Sequence, residues 1–196
     1  MAFEPPEVIS ASDVQYPLQT MAEGIVVADV SLSASGEIAD INVVSDIPPL
    51  TDAAETSLRT WKFKPASRDG VSVVSQMMVA FVFRHAVTTG SPPLFKAAFP
   101  ARQEDGYIPP GIFSARYADY PASTIAAGAT VIQVEVDANG STGKLDVVHG
   151  MEGGFVPLAL KAAGQWQFHP AVLNGTHVAS KVAVAFVFSS RALNPF

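Results

Sequence analysis

The chain repeats itself, and that constrains its fold more than any other feature. Tyr16-Pro17 recurs as Tyr120-Pro121, Gly24 as Gly128, Val30 as Val134, Gly36 as Gly140 and Val43-Val44 as Val147-Val148, each 104 residues on. From Ala54 and Ala159 the offset becomes 105: Trp61 matches Trp166, Phe63 matches Phe168, Pro65-Ala66 matches Pro170-Ala171, and Val79-Ala80-Phe81-Val82-Phe83 recurs as Val184 to Phe188. One residue was gained between Val148 and Ala159, where a loop absorbs it cheaply. A sequence written twice specifies two like units. They are expected over residues 1–86 and 107–196, with 87–106 as linker. The linker reading rests on Gly90, Pro92, Pro93, Pro100 and Gly106. Phe95 and Phe99 are its apolar exceptions and suggest that it packs against a domain.

Within one unit the periodicity changes twice. Val26, Ala28, Val30 and Leu32 alternate with Asp29, Ser31 and Ser33, the pattern of a strand. Ala34-Ser35-Gly36, and Asn139-Gly140 in the second copy, read as hairpin turns. A second strand carries Ile38, Ile41 and Val43, and its three-residue step predicts a bulge. Pro48-Pro49 then precede a helix with Thr51 or Asp52 as its N-cap. Its apolar stripe is Leu50, Ala54, Leu58 and Trp61, or Phe155, Ala159, Ala162 or Ala163, and Trp166 in the second copy. Pro65 forbids continuation. Asp69-Gly70 and Asn174-Gly175 turn into last strands over about Val71–Phe83 and Val178–Phe188. The fold class is α+β: in each unit, a three-stranded antiparallel sheet covered on one face by a helix whose Trp fills the core.

This order of signals resembles the TonB C-terminal domain family. The residues that carry the resemblance are Tyr16-Pro17, Gly24, Gly36, Trp61, Phe63, Pro65, Ala66, Asp69 and Gly70, and in the second copy Tyr120-Pro121, Gly128, Gly140, Trp166, Phe168, Pro170, Ala171 and Gly175. The resemblance implies a periplasmic energy-transducer module of Gram-negative bacteria that grips a peptide segment of an outer-membrane receptor or another envelope protein by strand addition. Carried onto this chain, it points to Gln15-Tyr16-Pro17 and the last strand from Val73 to Phe83, and in the second copy to Asp119-Tyr120-Pro121 and Val178 to Phe188. In such relatives a membrane helix and a Pro-rich spacer precede the domain. The segment from Met1 to Pro6 has neither a basic nor an apolar leader region, so a leader or anchor is expected upstream.

The residues themselves single out the last strand. Val79 to Phe83 is apolar on both faces, whereas one helix covers only one face. At a sheet edge it exposes unpaired backbone together with apolar side chains, and natural proteins avoid that unless something pairs there. A partner peptide, the other repeat or a second chain are the three possible neighbours. The expected partner-binding residues are therefore Gln15, Tyr16, Pro17, Val73, Met77, Met78, Val79, Phe81 and Phe83, with Tyr120, Pro121, Val182, Val184, Phe186 and Phe188. Met77-Met78 adds an adaptable contact surface. If the repeats join edge to edge about a pseudo-twofold axis, the edge is consumed and the chain is a structural or assembly domain instead.

Other chemistry is sparse. The formal net charge is −6 and no basic run occurs, which argues against nucleic acid. There is no cysteine and no apolar stretch long enough to span a membrane. His85, His149, His169 and His177 form no ligand-spaced pair. No nucleophile elbow, phosphate loop or dinucleotide fingerprint is present. The expectation is a non-enzymatic module without cofactor or metal. Gly150–Gly154 reads as a flexible loop, and the sequons at Asn139 and Asn174 read as turns.

Overall fold

A computed structural model describes residues 2–18, 20–86 and 91–189. Met1, Gln19, residues 87–90 (with Gly90 of the linker) and 190–196, the end of the second unit, lie outside the described residues. The first repeat supplies β1 (Gly24–Leu32), β2 (Ile38–Ser45), α1 (Leu50–Leu58) and β3 (Ser75–Arg84). The second supplies β4 (Gly128–Val136), β5 (Thr142–His149), α2 (Phe155–Ala163) and β6 (Ser180–Phe188).

These six strands form one sheet in the order β5-β4-β6-β3-β1-β2. That corrects the expectation of two separate three-stranded sheets. Within each repeat the pairings are antiparallel, but β3 and β6 run side by side in parallel, with Ala183 opposite Val79 and Phe186 opposite Val82. A parallel pair joining two like units implies a pseudo-twofold axis along the strands, which exchanges the faces of the sheet. The core follows that symmetry. On one face α1 packs over Val30, Val79 and Phe81 together with Val131 and Val187 of the second repeat. On the other, α2 packs over Val134, Val184 and Phe186 together with Val27 and Val82 of the first. Each last strand therefore needs apolar residues on both faces where the two pair, as Val79–Phe83 and Val184–Phe188 have.

Both faces are completed by the segments preceding each repeat. Glu7–Ser10 pairs with Lys62–Lys64, and Val8 and Val14 join the α1 core. Gly111–Ser114 pairs with Gln167–His169, and Ala98, Ile112 and Ala118 join the α2 core. The linker thus packs on the sheet, as Phe95 and Phe99 suggested. This cover also buries Asp29 and Ser31, the polar positions in the alternation of β1, Asp29 with only 1% of its surface exposed.

Local signals fare well with small shifts. Gly36 and Gly140 adopt φ near +84° and +85°, and a Cβ there would lie 2.4 and 2.3 Å from the carbonyl oxygens of Phe63 and Phe168. That contact is why a glycine recurs at both hairpins. The foreseen bulge sits between Asp40 and Ile38. Helix α1 ends at Leu58, so Trp61 follows it rather than riding on it, yet stays buried with its indole N–H bonded to Ser57 Oγ at 3.1 Å. Neither Thr51 nor Asp52 is the N-cap: Pro49 takes that place, and the Thr51 hydroxyl accepts the Ile47 N–H at 2.9 Å. Gly153 and Gly154, in the left-handed region, deliver the chain into α2.

Because each core contains strands of both repeats, the repeats are expected to unfold together. In the variants Trp61→Phe and Trp166→Phe, the remaining Trp fluorescence and the far-UV circular dichroism should give coincident urea midpoints. Two separated transitions would show that the repeats are independent.

Candidate functional site

The expected partner-binding residues divide into three groups. Met77, Met78, Val79, Phe81, Phe83, Val182, Val184, Phe186 and Phe188 are buried, none more than 3% exposed. Their strands are central, paired on both sides. The expectation of an open edge there is overturned, because the two last strands fill each other's edge. Val73 lies outside β3, half-buried, with its N–H donated to the Ala66 carbonyl at 2.9 Å.

The Tyr-Pro pairs brace the ends of the last strands. The Tyr16 hydroxyl donates to the Ala22 carbonyl and its ring meets Phe83 edge-on at 5.4 Å. Burial raises its pKa. Tyr120 repeats this with the Ala126 carbonyl and with Phe188 at 6.1 Å, and also meets Phe155 of α2 at 5.4 Å, while Pro121 is buried. Gln15 is exposed and Pro17 half-buried. Both line a cleft of about 480 Å³ between this segment and the outer side of α1, with Asp13, Asp52, Thr56 and Thr60 among its walls.

The sheet ends on β2 and β5, the outermost strands. Each carries two register shifts, which leave regular pairing over Asp40–Val43 in β2 and Leu145–Val147 in β5. Bulges of this kind twist an edge and limit what can pair with it.

Two polar clusters fasten the repeats together, and sequence reasoning missed both. Asp29 and Gln133 occupy equivalent positions, as do Gln76 and Lys181. The Asp29 carboxylate accepts the Ala101 N–H at 3.2 Å and the Gln76 side-chain amide at 3.3 Å. Gln133 Oε1 accepts the Val8 N–H at 2.7 Å, and Lys181 pairs with Glu7. Hydrogen bonding to Lys181 holds the Glu7 carboxyl below its usual range. Asp13 adds a third tie, accepting the Ala129 N–H at 2.6 Å. A polar residue at the same place in the first strand of both repeats was the available signal.

Histidine chemistry is dispersed. His85 Nδ1 shares a 2.7 Å hydrogen bond with Ser189 Oγ, and His169 lies between Phe99 and Phe113. Among the described residues no group of His, Cys, Asp or Glu is placed to hold a metal, and no helix is long and apolar enough to cross a membrane.

The fold is a tandem α+β pair of repeats, with two outer strand edges and a cleft beside α1. Residues 14–85 and 116–189 both match the family described as Gram-negative bacterial TonB protein C-terminal, and the chain belongs to that family. No curated protein and no solved structure matches it. The family consists of non-catalytic, periplasmic interaction domains.

Asp29 gives a direct test of the linker tie. Burial pushes its pKa up to about 6, against the pull of the Ala101 and Arg102 backbone N–H groups. The folded state therefore holds this proton over a range where the unfolded chain has released it, so stability falls as pH rises from about 4 to about 6. The full effect is up to about 3 kcal/mol. Urea unfolding at pH 4, 5 and 7 should show this loss in the native chain relative to Asp29→Asn; parallel pH profiles would contradict it.

Proposed function

We propose that this chain is a non-enzymatic TonB-type interaction module of the bacterial envelope that captures a short peptide segment of an envelope or outer-membrane protein by strand addition at an outer edge of its sheet. The carrying observation is the parallel pairing of β3 with β6, which leaves β2 and β5 as the outermost strands. A partner backbone added there continues the ladder, while the Gln15–Pro17 cleft offers room for its side chains. The short regular runs in β2 and β5 favour brief, weak engagement, the behaviour suited to a module serving envelope transport.

The test is a titration of isotope-labelled protein with a receptor-derived peptide at roughly millimolar concentration. Amide shifts are expected over Ile38–Ser45 or Thr142–His149, with Gln15, and not over Val79–Phe83 or Val184–Phe188. Shifts centred on the two last strands would overturn the reading.

The β3–β6 pairing also favours a second reading, a self-sealed scaffold that takes no peptide and contributes only assembly surfaces. A titration without shifts at either outer strand selects that reading over the first.

A further inference from the structure

A groove of about 700 Å³ runs along the second repeat between the β4–β5 hairpin and the stretch after α2. Its walls present Asn139, Ser141, Thr142, Gln165 and Gln167, with the ring of Phe113 at one side. Phe113 is 54% exposed although it sits on a paired strand. His169 meets it edge-on at 5.4 Å, and Phe99, itself 48% exposed, lies tilted against His169 at 5.0 Å. No Asp, Glu, Lys or Arg is among the lining residues.

The duplication supplies an internal control. The first repeat has the same backbone elements here, but Glu37 stands where the second has Ser141, Arg59 where it has Gly164, Lys62 where it has Gln167, and Lys64 where it has His169. Ile9 stands in place of Phe113. Two of those charged groups are engaged in the first repeat: Arg59 pairs with Glu55 at 3.3 Å, and Lys64 with Glu4 at 3.4 Å. In the second repeat every one of these charges is gone, and an exposed aromatic ring has replaced an aliphatic side chain. On a chain of net charge −6, the uncharged groove is a local property of one copy. Folding does not require it, since the other copy builds the same hairpin without it.

We propose that this groove binds a neutral oligosaccharide. Amide and hydroxyl side chains both donate and accept hydrogen bonds, matching the mixed demand of sugar hydroxyls. The C–H face of a pyranose ring stacks on an exposed aromatic ring, and Phe113 offers one at the side of the groove. Charged walls would impose a desolvation cost on an uncharged ligand, and none is present. The site is separate from the outer strand edges and does not depend on peptide capture.

Labelled full-length chain titrated with chitotetraose, cellotetraose and maltotetraose provides the test. At least one sugar should give saturable shifts at the Asn139–Thr142 amides, the Gln165 and Gln167 side-chain amides and the Phe113 ring. Phe113→Ala should weaken binding by about ten-fold or more. Gln167→Ala, at an exposed position, should weaken it with an unchanged spectrum elsewhere, which separates loss of binding from loss of fold. The proposal is overturned if none of the three sugars gives saturable shifts, if binding survives both substitutions undiminished, or if only an envelope peptide moves the groove resonances.

Discussion

The structure depends on one constraint: a strand apolar on both faces must be covered twice and paired twice. One repeat offers a single helix and leaves one edge of its last strand bare. Bringing β3 and β6 together in parallel satisfies both needs, because the pseudo-twofold relation turns the second helix to the opposite face. Val79 and Val184, equivalent in the repeat, then look to opposite sides of the sheet and into different cores. Burial of so many large apolar side chains in two shared cores dominates the stabilisation.

The relation carries a cost at the uncovered half of each face, where a repeat's strands lie beyond its partner's helix. The segments ahead of each repeat fill these halves. Their attachment is polar and specific: Gln133 holds Val8 and Lys181 holds Glu7, while Asp29, itself bonded by Gln76, holds Ala101. Buried polar groups are costly unless bonded, so these contacts favour one placement of each segment over alternatives. Arg102 to Asp40 at 2.6 Å extends the second attachment along the linker, and the Arg84 guanidinium over the Tyr117 ring at 5.8 Å continues it into the second unit. Phe3 and Tyr107, equivalent in the two copies, meet at 5.1 Å.

Local structure was legible in the sequence wherever a near neighbour decides it. The hairpin glycines, the bulge near Ile41, the helical stripes and the turns at Asp69-Gly70 and Asn174-Gly175 all follow from steric rules over a few residues. What escaped were choices made between distant segments. The apolar last strand announced that it needed a neighbour, but three neighbours met that need, and the family resemblance favoured a peptide over the repeat's own twin. The burial of Asp29 was not legible, because half-buried alternation and full burial under a linker give the same pattern. Of the candidate site, Gln15 and Pro17 stay accessible, whereas Tyr16 and Tyr120 serve as braces. The groove at Phe113 becomes visible only when equivalent residues of the two copies are compared around a shared backbone.

The most direct test of the central claim is the set of interstrand proton contacts between β3 and β6 in solution. Nuclear Overhauser contacts linking Phe81–Phe83 with Ala185–Val187 in the parallel pattern should be present within one chain, and absent from an isotope-filtered experiment on mixed labelled and unlabelled protein. Their absence within the chain, or their appearance only between chains, would contradict the arrangement.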